Sequence, residues 1–268
     1  QMLGLGAFTS VVGDGGITIA DALDVPVTTG DSYTVMVAVD AIREAARVME
    51  IPLSGATAAV VGATGAIGSV CAELLASEVE RLVLIGRSRE KLEGLRDRLQ
   101  LKYRSEIVVS LTMDALAESQ LILTVTSAVH DVIRPEHLQP GSVVCDVARP
   151  RDVSAMVASA RDDILVIDGG MVDVPGPVDF HFNFGFPPGK AYACMAETIA
   201  LTLEGRFEDY TLGKHLTRER VEEIDAVCKK HGFRVSGFRS FEKEVTEAQI
   251  ETVRRNAKRV RKLLATHP

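Results

Sequence analysis

Tryptophan is absent from this 268-residue chain and aromatic residues make up only 5% of it. Stacking platforms for single-stranded nucleic acid are therefore scarce. Positive charge is in the minority: 30 Lys and Arg against 37 Asp and Glu leave a net charge of −7, which argues against nucleic acid as a partner. Cysteine is sparse too. Cys71, Cys145, Cys194 and Cys228 form no CxxC pair and have no histidine cluster beside them. No metal site and no disulfide framework is encoded, and a reducing, cytoplasmic setting is expected. Long apolar runs are missing: the least polar stretch, 56–72, is broken by Gly62, Gly65 and Gly68 and falls short of the ~20 residues of a membrane span. No secretory leader is read at the start. The chain opens at Gln1 directly on a strand-like run, Leu3 to Phe8, so further residues upstream are expected.

What is present is a core-forming composition, 46% hydrophobic and 25% charged. Six continuous Val/Ile/Leu runs alternate with helical patterns: 57–61, 81–85, 107–109, 121–125, 142–146 and 163–167. Helices are expected over 66–78 and 89–100, with a short helical piece near Asp114. Strands apolar on both faces with helical crossovers predict an α/β fold with a doubly wound parallel sheet of Rossmann type. Around it lie helical segments expected over 31–50, 190–204, 217–230 and 244–264, read as flanking helices of a truncated second lobe. The expected division is 1–52 as an N-terminal segment and linking helix, 53–170 as the dinucleotide domain, and 171–268 as a cysteine loop with C-terminal helices.

Between the first strand and its helix stands Gly62-Ala63-Thr64-Gly65-Ala66-Ile67-Gly68. In that context the glycines permit a tight turn, backbone approach to a pyrophosphate, and close helix packing, while the helix start offers free N–H groups. Gly62, Thr64, Gly65, Ala66, Ile67 and Gly68 are thus cofactor-binding candidates. The second strand ends in Gly86-Arg87-Ser88-Arg89, with no carboxylate for a ribose 2′-hydroxyl. Arg87, Ser88 and Arg89 suit a 2′-phosphate, so the expected cofactor is NADPH. Thr126 and Ser127, just past the fourth strand, are expected at the nicotinamide; ordinary turn residues are the other reading.

Cys194 follows Pro187-Pro188-Gly189-Lys190-Ala191-Tyr192-Ala193 near a helix start, with Gly205 where that helix should end. The helix field and Lys190 at i−4 would favour the thiolate. A thiolate with a reduced nicotinamide suits attack on a thioester and reduction of the acyl-enzyme to an aldehyde. A small buried helix cysteine is the competing reading. Upstream, Phe180, Phe182, Phe184 and Phe186 alternate with His181 and Asn183. The rings could line an acyl channel, with His181 a candidate proton donor, or anchor the loop to the core.

Gly4-Leu5-Gly6-Ala7-Phe8-Thr9-Ser10, Thr28-Thr29-Gly30-Asp31, the glycine loop, Gly169-Gly170, Tyr192-Ala193-Cys194-Met195-Ala196-Glu197 and His231-Gly232-Phe233 occur in this order. Together they resemble the long-chain acyl-[acyl-carrier-protein] reductases, over residues 1 to about 235. The resemblance implies that Cys194 is the acylated nucleophile, that NADPH is the hydride donor and that acyl carrier protein or CoA thioesters are substrates. It makes Ser10 and the Thr28-Thr29-Gly30 turn secondary candidates. The sequence departs from that pattern by lacking an acyl-binding lobe before Gln1, in the Phe-rich loop, and in a tail from about Ser236. The same architecture resembles shikimate-type and amino-acid-type dehydrogenases, which use no cysteine nucleophile. The alternatives are therefore an NADP-dependent hydroxy- or amino-acid dehydrogenase, or a non-catalytic NADP(H)-binding module. A homo-oligomer is expected from the flanking helices. In the tail, Arg254, Arg255, Lys258, Arg259, Arg261 and Lys262 face one Glu251. That stripe is either a solvated helix face or a dock for an acidic carrier or CoA phosphate.

Overall fold

Aliphatic runs buried on both sides build the centre of the computed structural model, which describes residues 1–6 and 13–266. Six strands, β1 (Thr57–Val61), β2 (Arg81–Ile85), β3 (Glu106–Ser110), β4 (Leu121–Thr124), β5 (Val143–Asp146) and β6 (Leu165–Asp168), form one sheet in the order β3-β2-β1-β4-β5-β6. Every neighbouring pair is parallel. This is the doubly wound order, whose ligands lie beyond the carboxyl ends of the strands where the winding reverses. Alternate residues serve opposite faces: Ala59, Val61, Val83, Ile85, Ile122, Val144 and Val166 pack in one cluster with Leu116, Ile133, Leu138, Val153 and Val157. Val60, Leu82, Leu84, Leu121, Leu123 and Val143, pointing the other way, are equally buried. Helix α1 (Ala66–Ala76) joins β1 to β2, and helix α2 (Arg89–Gln100) joins β2 to β3. Ser88 caps α2, its Oγ accepting the Lys91 N–H at 3.4 Å. The later connections are lighter: a 3₁₀ piece at Met113–Glu118, another at Pro135–His137, and a short helix at Ala155–Ala160.

The chain divides into two compact units, Val39–Gly169 with Gly237–Pro268, and Gln1–Ala38 with Gly170–Ser236. This differs from the three consecutive parts expected, because the tail returns to the sheet unit. There the C-terminal helix Glu247–Thr266 sets Arg254 on Glu50 at 2.6 Å and aims Arg261 Nε at the Pro140 carbonyl at 2.9 Å. The basic stripe is thus partly spent within the unit, while Arg255, Arg259 and Lys262 stay exposed.

In the other unit, Leu3–Gly4 pairs parallel with Val27–Thr28, and Met171–Asp173 pairs antiparallel with both Lys190–Tyr192 and Arg234–Val235. The expected helix from Lys190 is corrected here: Lys190–Tyr192 is a strand and the helix is Ala193–Glu204. Pairing with Met171–Asp173, a partner remote in sequence, outcompetes the local helical pattern. Gly205 ends the helix in the left-handed conformation, φ 74°. Helix Asp31–Val48 starts in this unit and ends in the sheet unit.

Candidate functional site

The glycine loop sits at the carboxyl end of β1. Gly62 has φ +82°, and a Cβ there would stand 2.5 Å from the Val125 carbonyl oxygen, so only glycine fits the turn. A Cβ on Gly68 would run into the Gly62 carbonyl, which holds α1 tightly against the loop. Gly65 differs: its missing Cβ would meet only Gly62 O, at 3.3 Å, leaving an open backbone surface. Gly65 is the N-cap of α1, with no side-chain cap and no acidic residue in the first turn. Free first-turn N–H groups beside bare backbone form an anion cradle that fits a dinucleotide pyrophosphate. Thr64, Ala66 and Ile67 belong to this turn, and Thr64 Oγ1 lies 3.6 Å from where a Gly86 Cβ would be, at the end of β2.

Beyond β2, Arg87 and Arg89 are exposed. Arg89 reaches Glu93 at 3.6 Å and Ser88 is engaged as the α2 cap. At the carboxyl ends of β4 and β5 a carboxylate missed in the sequence organises the backbone. Asp152 is fully buried; Thr124 Oγ1 donates to it at 2.5 Å and the Thr126 N–H at 2.9 Å, and the Thr126 hydroxyl donates to its second oxygen. The Thr126 side chain is thus tied to Asp152, while Ser127 next to it is exposed. Asp146 at the end of β5 accepts N–H groups from Ala148 and Val153, both at 3.0 Å. Burial, with the Asp152 charge nearby, pushes its carboxyl up to about 7.

Cys194 belongs to the other unit. It is the second residue of helix Ala193–Glu204, where the first-turn backbone N–H groups of Met195 and of Cys194 itself act to lower its pKa. The Ala193 N–H goes instead to the Gly170 carbonyl at 2.8 Å. Two backbone segments close on the thiol. A Cβ on Gly6 would lie 3.5 Å from Sγ, and Gly30, at φ +75°, packs so closely that a Cβ would overlap Cys194 Cα and Cβ. The expected thiolate is corrected. Burial, then the charges of Asp31 and Glu197, push the thiol up to about 11 against the lowering effect of the first-turn backbone. Lys190 does not supply the expected positive field, because its strand sends Nζ to Asp173 Oδ1 and Ser236 Oγ, each at 2.6 Å.

Two further carboxyls escaped the sequence reading although both lie in motifs quoted for the resemblance. Glu197, one turn beyond Cys194, is completely buried and ties three segments together. Thr28 Oγ1 donates to it at 2.5 Å, the Tyr33 N–H at 2.9 Å and Thr211 Oγ1 at 2.8 Å. Burial raises its pKa and these donors oppose the rise. Asp31 opens its helix beside Gly30; burial, then the neighbouring Glu197, push it up to about 7, against a hydrogen bond from Thr29. Nothing local in the sequence marks either group, since carboxylates in helices are ordinarily surface residues.

His181 is 87% exposed in its side chain, 3.3 Å from Asp179 on a loop. Ser10 lies outside the described residues. The other cysteines, Cys71, Cys145 and Cys228, are buried, and burial raises each thiol. Among the described residues no group of three His, Cys, Asp or Glu could hold a metal ion, and no helix is long and apolar enough to cross a membrane.

Residues 43–168 match the family described as Shikimate / quinate 5-dehydrogenase. With the strand order and the glycine cradle, this makes the sheet unit an NAD(P)-binding domain of the reductase and dehydrogenase type. The chain is 36% identical over 260 residues to aminotransferase PigE of a Serratia species, covering 95% of this chain and 30% of that protein. It is 33% identical over 215 residues to the long-chain acyl-[acyl-carrier-protein] reductase of Synechococcus elongatus, covering 77% of this chain and 61% of that one. The chain thus spans only part of the length of both relatives. Among solved structures, Δ1-pyrroline-2-carboxylate reductase of Thermococcus litoralis, in complex with NADH and L-proline, is 11% identical, with a TM-score of 0.41 and coverage of 85% of this chain and 66% of that one.

Proposed function

We propose that this protein is an NADPH-dependent reductase that converts acyl thioesters of a carrier protein or CoA into aldehydes through an acyl-enzyme on Cys194. The observation that carries this is the thiol itself, set in the first turn of a helix against the close backbone of Gly6 and Gly30 and near the Asp31 carboxyl. The Synechococcus relative, named for that activity, supports the reading. At rest the thiol is protonated, so attack needs a proton acceptor, and Asp31 is a carboxyl beside it that titrates near neutrality. As Sγ bonds to the acyl carbon, its proton passes to Asp31 and the carrier sulfur leaves, taking that proton as a thiol. NADPH would supply the hydride; with a proton taken up from solvent the acyl group on Cys194 becomes a thiohemiacetal, whose collapse gives the aldehyde and returns the Cys194 thiol. The glycine cradle would hold the pyrophosphate, and Arg87 and Arg89 the 2′-phosphate.

Incubating the protein with acyl-pantetheine thioesters without NADPH should add one acyl mass, mapped to Cys194 and absent in Cys194→Ala. No adduct in a protein that still binds NADPH would overturn the reading. It would favour a dehydrogenase of the kind the 43–168 match describes, in which Cys194→Ala leaves turnover intact. The cofactor assignment has its own check. Replacing Arg87 and Arg89 together by alanine should weaken NADPH binding by about 10–100-fold, the size of one or two charge-assisted bonds, and leave NADH within about two-fold. Equal losses for both cofactors would remove the 2′-phosphate role.

A further inference from the structure

The dinucleotide cradle has a wall that the glycine loop does not itself supply. Where β1 ends, Gly62 lies against the chain leaving β4: a Cβ on it would meet the Val125 carbonyl oxygen at 2.5 Å and the Thr126 methyl carbon at 3.3 Å. The winding reverses between β1 and β4, so a dinucleotide with its adenosine half over β1 and β2 runs its other half across this wall. The wall hangs on one buried side chain. Asp152 Oδ2 accepts the Thr124 hydroxyl at 2.5 Å and the Thr126 N–H at 2.9 Å, and Oδ1 accepts the Thr126 hydroxyl. Asp152 is itself held from behind, its backbone carbonyl accepting the Val132 and Ile133 N–H groups at 2.8 and 2.9 Å. The next residue, Val153, donates its N–H to Asp146 at 3.0 Å. A carboxyl fixed in this way dictates where the groups in front of it stand.

The same bonds decide which part of Thr126 is available. Its hydroxyl proton goes to Asp152 and its oxygen accepts the Ala128 N–H at 3.0 Å, while the methyl group is the part turned toward Gly62. The strand end therefore presents a methyl group and a main-chain carbonyl, an apolar face with an acceptor beside it, rather than a hydroxyl. A nicotinamide suits that face, having a flat ring for the methyl to cover and a carboxamide N–H for a carbonyl to accept. We propose that Asp152 is a positioning residue for the nicotinamide half of the cofactor: fully buried, it touches no cofactor atom, and by holding Thr126 it sets the wall against which the nicotinamide riboside is laid. The inference rests on the dinucleotide reading of the glycine cradle and is independent of what Cys194 does.

Equilibrium binding of two compounds tests this without turnover: NADPH, and adenosine 2′-phosphate 5′-diphosphate, which keeps the pyrophosphate and lacks the nicotinamide riboside. NADH and ADP form the matching pair should the protein prefer that cofactor. Asp152→Ala should weaken NADPH by about ten-fold and leave the fragment within about two-fold. Asp152→Asn, whose amide oxygen can keep both Oδ2 bonds, should hold NADPH within about three-fold of native. The emission of bound NADPH, which arises from the nicotinamide, should lose anisotropy in the alanine variant and keep it in the asparagine one. Equal losses for NADPH and the fragment would overturn the proposal and leave Asp152 a support of the whole cradle. Two gentler variants decide the matter if Asp152→Ala does not fold. Thr126→Val keeps the methyl and cuts the tie to Asp152; Thr126→Ser keeps the tie and removes the methyl. Each should weaken NADPH by about three-fold with the fragment unchanged. Native affinity in either would overturn the proposal, and native affinity in the serine variant alone would make the hydroxyl a direct cofactor contact. A native protein that binds both compounds equally well would keep the dinucleotide reading and overturn the wall. One that binds neither pair would remove the dinucleotide reading, and the wall with it.

Discussion

Gly30→Ala is expected to cost about 3–5 kcal/mol of stability and to abolish selective labelling of Cys194. Two penalties combine. At φ +75° an alanine pays the left-handed penalty of roughly 1–2 kcal/mol. Its Cβ would also overlap Cys194 Cα and Cβ and stand 2.7 Å from the Cys194 carbonyl oxygen, all backbone or near-backbone atoms with no rotamer to escape through. The helix cannot retreat easily, because Ala193, Ala196, Glu197, Ala200 and Leu201 are buried along its length. Gly176→Ala provides the control. Its φ is +78° and a Cβ there meets nothing within 4 Å, so it carries the conformational penalty alone, roughly 1–2 kcal/mol. Urea unfolding of both variants separates the terms. Equal losses would show that the contact between Gly30 and the cysteine helix is soft, and that the Thr28-Thr29-Gly30 turn does not set the position of the thiol.

That turn shows how far the sequence could be read. β1 and β2 were legible to the residue, because a continuous aliphatic run ended by a glycine turn or arginines has one good solution. The glycine loop was legible for the same reason: strand, turn and helix are consecutive, and the roles of Gly62 and Gly68 depend on neighbours close in the chain. Lys190 was misread because helical spacing from Cys194 looked continuous, whereas pairing to Met171–Asp173 arises from a segment 17 residues upstream. The thiol was misread by the same kind of omission. A helix start and a nearby lysine both argue for thiolate, but the desolvation and the carboxyls of Asp31 and Glu197 that override them are assembled by folding. The alternation of Phe180 to Phe186 was visible, but not its setting: the segment is no strand, and left-handed residues at His181 and Gly185 break the extended geometry that period-two spacing presumes.

Asp31→Asn should therefore move three observables in directions that no purely structural role for Asp31 reproduces. Stability comes first. In the folded protein the carboxyl titrates at about 7, against 3.8 for an ordinary aspartate, so between these values the folded state holds a proton that the unfolded chain releases. Stability must fall as pH rises through that window, and the deficit persists above it. The shift corresponds to something on the order of 4 kcal/mol, which asparagine avoids while still accepting the Thr29 hydroxyl. The variant should match the native protein near pH 4 and exceed its Tm by roughly 5–10 °C at pH 8. The second observable is labelling. Removing a negative neighbour lowers the Cys194 pKa, so iodoacetamide should react several-fold faster at pH 8 in the variant. Turnover should move the opposite way, falling by about 10²-fold on acyl thioesters, because the group that takes the thiol proton is gone. A more reactive cysteine in a slower enzyme separates a proton acceptor from a mere electrostatic neighbour, for which faster labelling would bring equal or faster turnover. A Tm difference that stays flat from pH 4 to pH 8 would show that Asp31 is ionised in the folded state throughout, and would leave Cys194 without its acceptor.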